Sequence, residues 1–267
     1  MELWIVRHGE TVDNFNHVVQ GQQPGKLSEL GIAQARQTGV ELAKQRFSEV
    51  YCSDLNRTKE TLGHILESFP DAKSLKINYS PFIRERCFGV LEGLKSEVYQ
   101  ETVKNSGIPK REYKPKDGES WQEVQQRAIE FLGLLKHRFI WPEKSESKDL
   151  DVAIGLQNLH IKEPMKEIQE ERKEGSITGT STLHPKENEE KSELSKVLVI
   201  SHKGFLTELL NVINYIISKD NSVAVEGLGN CSIHALKVTA VEGAEKSMKN
   251  AKYEFLRKND ISHLNPK

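Results

Sequence analysis

The sequence has only three cysteines in its 267 residues. Cys52, Cys87 and Cys231 are odd in number and too widely spaced for a disulfide framework or for paired zinc ligands, so ordinary reduced thiols are expected. A dominant apolar content is also lacking. Hydrophobic residues make up 36% and charged residues 29%, which excludes a membrane-embedded or fibrous chain and describes a soluble globular one with a polar segment somewhere. The opening run MELWIVRHGE has no basic region in front of its apolar residues and stops at Arg7. It reads as a first strand and not as a signal peptide, and a cytoplasmic location is expected.

Charge of one sign is missing as well, with a formal net charge of -1. That balance hides a division. Residues 141–195 hold 8 Lys/Arg and 13 Asp/Glu, a net -5, which leaves +4 on the remainder. A mildly basic body suits an anionic small molecule, and +4 is far too weak to imply nucleic-acid binding. The length favours one α/β unit carrying an insertion.

Short, nearly continuous apolar runs at Leu3–Val6, Glu49–Cys52, Leu75–Tyr79 and Lys196–Ile200 fit strands buried on both faces. Helical patterns lie between them. Ser28 caps Glu29–Gln45, Asp54 caps Leu55–Ser68, and Glu119 or Ser120 opens a helix to Ile140. This alternation predicts a three-layer α/β/α sandwich on a mainly parallel sheet, with the ligand crevice at the carboxyl ends of the strands. Cys231–Val241 and Tyr253–Arg257 alternate like edge or antiparallel strands. The span of about 141–195 breaks the pattern and reads as a long polar, flexible insertion, with one possible helical piece at Pro164–Glu174.

Arg7-His8-Gly9-Glu10-Thr11 follows the first strand, setting an imidazole and a guanidinium at its carboxyl end beside a glycine that lets backbone approach a ligand. Neutral imidazole is a capable nucleophile towards phosphorus. Roughly three quarters of it is neutral at pH 7, and neighbouring cations raise that fraction. A strand-end histidine taken alone is more often a structural residue. Cys52-Ser53-Asp54-Leu55-Asn56-Arg57-Thr58 again joins a strand end to a helix start, where free N–H groups favour an anion. A cation such as Arg57 opposes the helix dipole there, so contact with phosphate is its more natural use. Val197–His202 ends a third strand with another histidine.

These fragments resemble the histidine phosphatase, or phosphoglycerate mutase-like, superfamily. The resemblance includes LWIVRHGETVDN, LSELGIAQA, SDLNRTKET, RERCFGVLEG, DGESWQEV, VISHKG and NDISHL, and so covers nearly the whole chain outside the insertion as a single domain, 1–267. It implies His8 as the phosphorylated nucleophile, Glu85 as the proton donor and His202 as the second histidine of the phosphate pocket. Arg7, Arg57 and Asn14 become phosphate ligands, with Gln20, Gly21, Lys203 and Asn230 around the substrate. No metal and no cofactor are implied, and the partner is a phosphorylated small molecule.

Within the superfamily, GQQPG, RERCFGVLEG, DGESWQEV and the polar insertion are most similar to TIGAR-type fructose-2,6-bisphosphatases. That branch implies removal of the 2-phosphate of fructose 2,6-bisphosphate and a restraint on glycolysis. On a lid in such a fold, Lys110, Arg111, Lys114 and Lys116 would be free either to hold a second phosphate or to form a solvated basic loop. Three positions depart from the pattern: Lys203 stands where glycine is usual, Thr207 where arginine is common and Phe88 where tyrosine is common. A broad-specificity sugar-phosphate or bisphosphoglycerate phosphatase, and a weakly active binding protein, remain as alternatives.

Overall fold

The computed structural model describes residues 1–141, 194–218, 227–241 and 250–264. The expected insertion, including Pro164–Glu174, lies almost wholly outside these residues. The described residues belong to one unit, to which both flanks of the insertion contribute.

Six strands form one sheet: β1 (Glu2–Arg7), β2 (Glu49–Ser53), β3 (Lys76–Ser80), β4 (Lys196–Ser201), β5 (Ile233–Ala240) and β6 (Ala251–Asp260). Their order is β3-β2-β4-β1-β5-β6. The first four are mutually parallel, and β5 and β6 run antiparallel at one edge. The helices are α1 (Val12–Phe15), α2 (Glu29–Leu42), α3 (Asn56–Leu66), α4 (Ser96–Ser106), α5 (Trp121–Phe139) and α6 (Lys203–Ser218).

Because successive side chains of a strand face opposite ways, β1 feeds two cores. Leu3 and Ile5 pack with Phe131 and Leu135 of α5 and Phe205 and Leu209 of α6. Trp4 and Val6 pack on the other face with Leu42 of α2 and Leu62 and Ile65 of α3. Each fully buried aliphatic side chain contributes roughly 1.5–3 kcal/mol. The result is the expected three-layer arrangement, with a smaller cluster of Leu91, Tyr99 and Val103 under α4.

Local differences from expectation have clear causes. Asp54 does not cap α3, which starts one residue later behind Leu55 without a side-chain cap. Its carboxylate is taken instead by Arg84, at 2.7 Å from Nε and 2.5 Å from Nη2. β3 is parallel as expected but is an edge strand with only Ser80 buried, so it is not covered on both faces. Ser28 and Ser120 do cap their helices, Ser120 through a reciprocal capping box with Glu123.

Candidate active site

The parallel register of β1 and β4 builds the centre of the site. Arg7 is opposite Ser201, so the next residues, His8 and His202, emerge side by side at the carboxyl ends of the two strands. Their ring centroids are 5.2 Å apart. His8 N donates to Ser201 O at 3.0 Å, which locks the two strand ends together.

His8 is buried, and its Nδ1 lies 2.7 Å from Gly9 O. A carbonyl only accepts, so the neutral ring carries its proton on Nδ1 and leaves the Nε2 lone pair free. Burial first, then the charges of Arg57 and Arg7, push this imidazole well below its usual pKa. The ring is therefore uncharged at neutral pH, with Nε2 bare. Gly9 N is held by Thr61 Oγ1 at 3.0 Å, and a Cβ on Gly9 would meet Gly31 O at 2.6 Å.

Arg57 is fully buried in the first turn of α3. Its Nε donates to His202 Nδ1 at 3.1 Å, Nη1 to Gln23 O at 3.0 Å and Nη2 to Gly21 O at 2.7 Å. Two of its five N–H groups remain for a ligand. Desolvation lowers its pKa to about 10, which leaves it charged. Arg7 donates from Nη1 to Leu228 O at 2.7 Å, while its Nε is buried without a partner. An orphaned buried guanidinium donor is costly unless an anion meets it.

His202 takes the opposite tautomer to His8. Its Nδ1 accepts from Arg57, so its ring proton sits on Nε2 and is donated to Ser53 Oγ at 2.8 Å. Burial, followed by the charges of Arg57, His8, Arg7 and Arg127, holds its pKa well below the usual value. It brings no charge to the pocket and orients Arg57.

Glu85 reaches the site from the segment after β3. Its Oε1 accepts from Arg86 N at 2.8 Å, and its Oε2 accepts from Gly204 N in the first turn of α6 at 3.1 Å. Ser201 Oγ donates to Ile83 O at 2.6 Å, tying this segment to the end of β4.

The remaining expected residues divide into scaffold and rim. Asn230 Nδ2 donates to His8 O at 3.0 Å and to Asn14 Oδ1 at 3.3 Å, so it braces the backbone of His8. Asn14 Oδ1 also closes the capping box of α1 with Thr11. Gly21 adopts φ +52°, and a Cβ there would strike the Glu92 carboxylate. Gln20 is buried with its Oε1 unpartnered. Lys203 is exposed at the start of α6. Phe88, in place of a tyrosine, packs edge-on against Tyr99 and lies beneath the Arg86 guanidinium.

Two of the four basic lid residues are already engaged. Arg111 forms a forked ion pair with the fully buried Glu208 of α6, and Lys114 pairs with Glu123 at 2.8 Å. The sequence gives no warning of the contributions of Ser53, Thr61 or Leu228 O, since all arise from long-range packing. Arg127 and Glu208 do leave a trace. Each is a charge on the apolar stripe of its helix, Arg127 between Val124 and Phe131 and Glu208 between Phe205 and Val212.

Among the described residues no group of three or more His, Cys, Asp or Glu is arranged to hold a metal ion. No helix among them is long and apolar enough to cross a membrane.

The profile of the histidine phosphatase superfamily, branch 1, matches residues 3–139. Fructose-2,6-bisphosphatase TIGAR of Bos taurus is 36% identical over 134 residues, which are 50% of this chain and 50% of that protein. The protein of the same name from Xenopus tropicalis is 31% identical over 219 residues, 80% of this chain and 74% of that one. The chain thus spans about half the length of the bovine relative it matches. Among solved structures, the phosphoglycerate mutase of Bacillus anthracis shares the fold with a TM-score of 0.62 at 20% identity, over 99% of this chain and 95% of that one. With an uncharged histidine between two arginines at the head of a phosphoglycerate mutase-like sheet, and with its profile matched over half the sequence, this chain belongs to the histidine phosphatase superfamily.

Proposed function

We propose that the protein is a phosphohydrolase in which His8 Nε2 attacks a phosphate ester and carries the phosphoryl group as phosphohistidine. One observation carries this reading: the Nδ1–H of His8 is committed to Gly9 O, so a buried imidazole points a bare lone pair into a cationic recess. Arg7 Nε and the two remaining N–H groups of Arg57 stabilise the charge on the transferring oxygens, in a site with little water to compete. His202 and Asn230 fix Arg57 and His8 in place. Glu85 gives its proton to the leaving alkoxide and then takes one from the attacking water. Phosphorus leaves the substrate oxygen for Nε2, then leaves Nε2 for water, and the enzyme is restored.

For the substrate, the likeness to the TIGAR relatives supports fructose 2,6-bisphosphate, hydrolysed at its 2-phosphate in the cytoplasm as a restraint on glycolysis. A second reading, a broad-specificity sugar-phosphate phosphatase, draws support from the lid. Arg111 and Lys114 are bound to Glu208 and Glu123, which leaves fewer free cations for a second phosphate.

The test uses fructose 2,6-bisphosphate labelled in its 2-phosphate, together with 2,3-bisphosphoglycerate, 3-phosphoglycerate and simple monoesters. Acid-labile label is expected on the wild-type chain and none on His8→Ala, whose turnover falls to background. A kcat/KM for fructose 2,6-bisphosphate at least about tenfold above the monoesters supports the specific reading. Equal values favour the broad one, and label on His8→Ala rules out the nucleophile.

A further inference from the structure

The segment that carries Glu85 has no regular secondary structure, and an irregular segment does not by itself hold a carboxylate to the tolerance that proton transfer requires. Two residues outside the phosphate recess bind that segment on both sides of Glu85. Arg127 of α5 donates from Nη1 to the carbonyls of Phe82 at 2.7 Å and Arg84 at 3.2 Å. Its Nε and Nη2 donate to Glu119 Oε1 at 2.9 Å and Oε2 at 3.0 Å, a forked pair. Glu119 Oε2 also accepts from Cys87 N at 2.8 Å, and Glu119 O accepts from Arg86 Nε at 2.8 Å. Backbone before and after Glu85 is therefore fastened to one ion pair. The Glu85 side chain is left to meet Arg86 N and Gly204 N.

A purely structural use explains Arg127 poorly. Its place between Val124 and Phe131 would be filled at less desolvation cost by an aliphatic residue, and the pair is largely buried, with side-chain exposures of 16% and 22%. What the charge provides, and a leucine would not, is a donor for the two carbonyls just ahead of the acid and a partner for the carboxylate just behind it.

We infer that Glu119 and Arg127 are positioning residues for Glu85, holding its carboxyl where the leaving oxygen departs. The inference rests on the reading of Glu85 as proton donor. That role matters in proportion to how poor the leaving group is: an alkoxide needs the proton, and a nitrophenolate does not. A fault in positioning Glu85 thus lowers kcat/KM, which reports the transfer to His8, on alkyl phosphates and spares it on aryl phosphates, while the later hydrolysis of phosphohistidine is common to both esters and does not enter kcat/KM. A fault in the phosphate recess or in the fold falls on both.

The experiment measures kcat and KM of wild type, Glu119→Gln, Arg127→Lys and Glu85→Gln on glycerol 2-phosphate and on para-nitrophenyl phosphate, per folded site. Arg127→Lys keeps the cation near His202 and loses the fork, and it provides the measurement if Glu119→Gln does not fold. Glu119→Gln is expected to lose roughly 10- to 100-fold in kcat/KM on the alkyl ester and less than about threefold in kcat/KM on the aryl ester. In the Glu85→Gln background it is expected to add almost nothing on the alkyl ester, as residues acting through one group are not additive. Equal losses on both esters, loss on neither, or full additivity with Glu85→Gln overturns the inference. If Glu85→Gln itself makes no distinction between the two esters in kcat/KM, the reading of Glu85 as the acid falls instead.

Discussion

At Gly204 the backbone N–H donates to Glu85 Oε2, and a Cβ added there would stand 2.1 Å from Glu85 Oε1. The neighbouring Lys203 side chain is exposed, so a lysine is tolerated in the position where the superfamily pattern expects glycine. The glycine that the site requires is the one that follows. Gly204→Ala sets two effects in opposite directions. Alanine in a helix is favoured over glycine by up to about 1 kcal/mol, and the group it displaces is the far end of a flexible side chain, so the melting temperature is expected to hold or rise. Alkyl-phosphate turnover is expected to fall roughly 100-fold because Glu85 is pushed from its place. Parallel melting curves and kinetics check this, and a loss of stability with turnover intact would contradict it.

At the scale of elements, the segment after α4 is tied to α6 by Arg111 and Glu208. Glu208 has no side-chain exposure, whereas Arg111 is 49% exposed. Removing the arginine leaves a carboxylate buried and unpaired, and Arg111→Met is expected to destabilise the fold by about 3 kcal/mol. Lys114→Met, which breaks an exposed pair with Glu123, is expected to cost less than about 1 kcal/mol. Urea denaturation of the two variants checks the contrast, and equal midpoints would refute it. The same elements mark what the sequence makes legible. Strands β1, β2 and β4 announce themselves because strands covered on both faces read as unbroken apolar runs, and the motifs at their ends carry His8, Arg57 and His202. The expected cap at Asp54 fails because Arg84, distant in sequence, competes for the carboxylate. The Glu119–Arg127 pair and the Arg111–Glu208 tie are invisible for the same reason: local pattern records which face a residue occupies, not which partner the fold brings to it.

At the scale of the whole molecule, four histidines among the described residues are held neutral by the fold. Burial is the leading cause in each case, lowering His8 and His202 well below the usual value, His234 to about 4, and His263 by an amount that its neighbour Asp260 partly offsets. In the unfolded chain each titrates near 6.5. Below that pH the unfolded state binds protons that the folded state refuses, so stability falls as pH falls, by up to about 1.4 kcal/mol per unit for each of the buried His8, His202 and His234 and by less for the half-buried His263. For His234 the loss runs from about pH 6.5 down to about 4. Asp54 has its pKa lowered by Arg84, so its contribution is present above the ordinary carboxylate range and is lost only at more acid pH. Urea midpoints are therefore expected to fall steeply from pH 7 to pH 5, and His234→Asn, whose amide oxygen takes the place of Nδ1 and can still accept from Asn259 N, is expected to reduce that slope by about a single histidine's share. A flat profile across this range would contradict the argument. An ordinary imidazole nucleophile would in addition be lost to protonation near pH 6.5. His8 stays uncharged through the interval in which the protein loses stability, so activity at acid pH is expected to follow the folded fraction, with no separate titration of the nucleophile near pH 6.5.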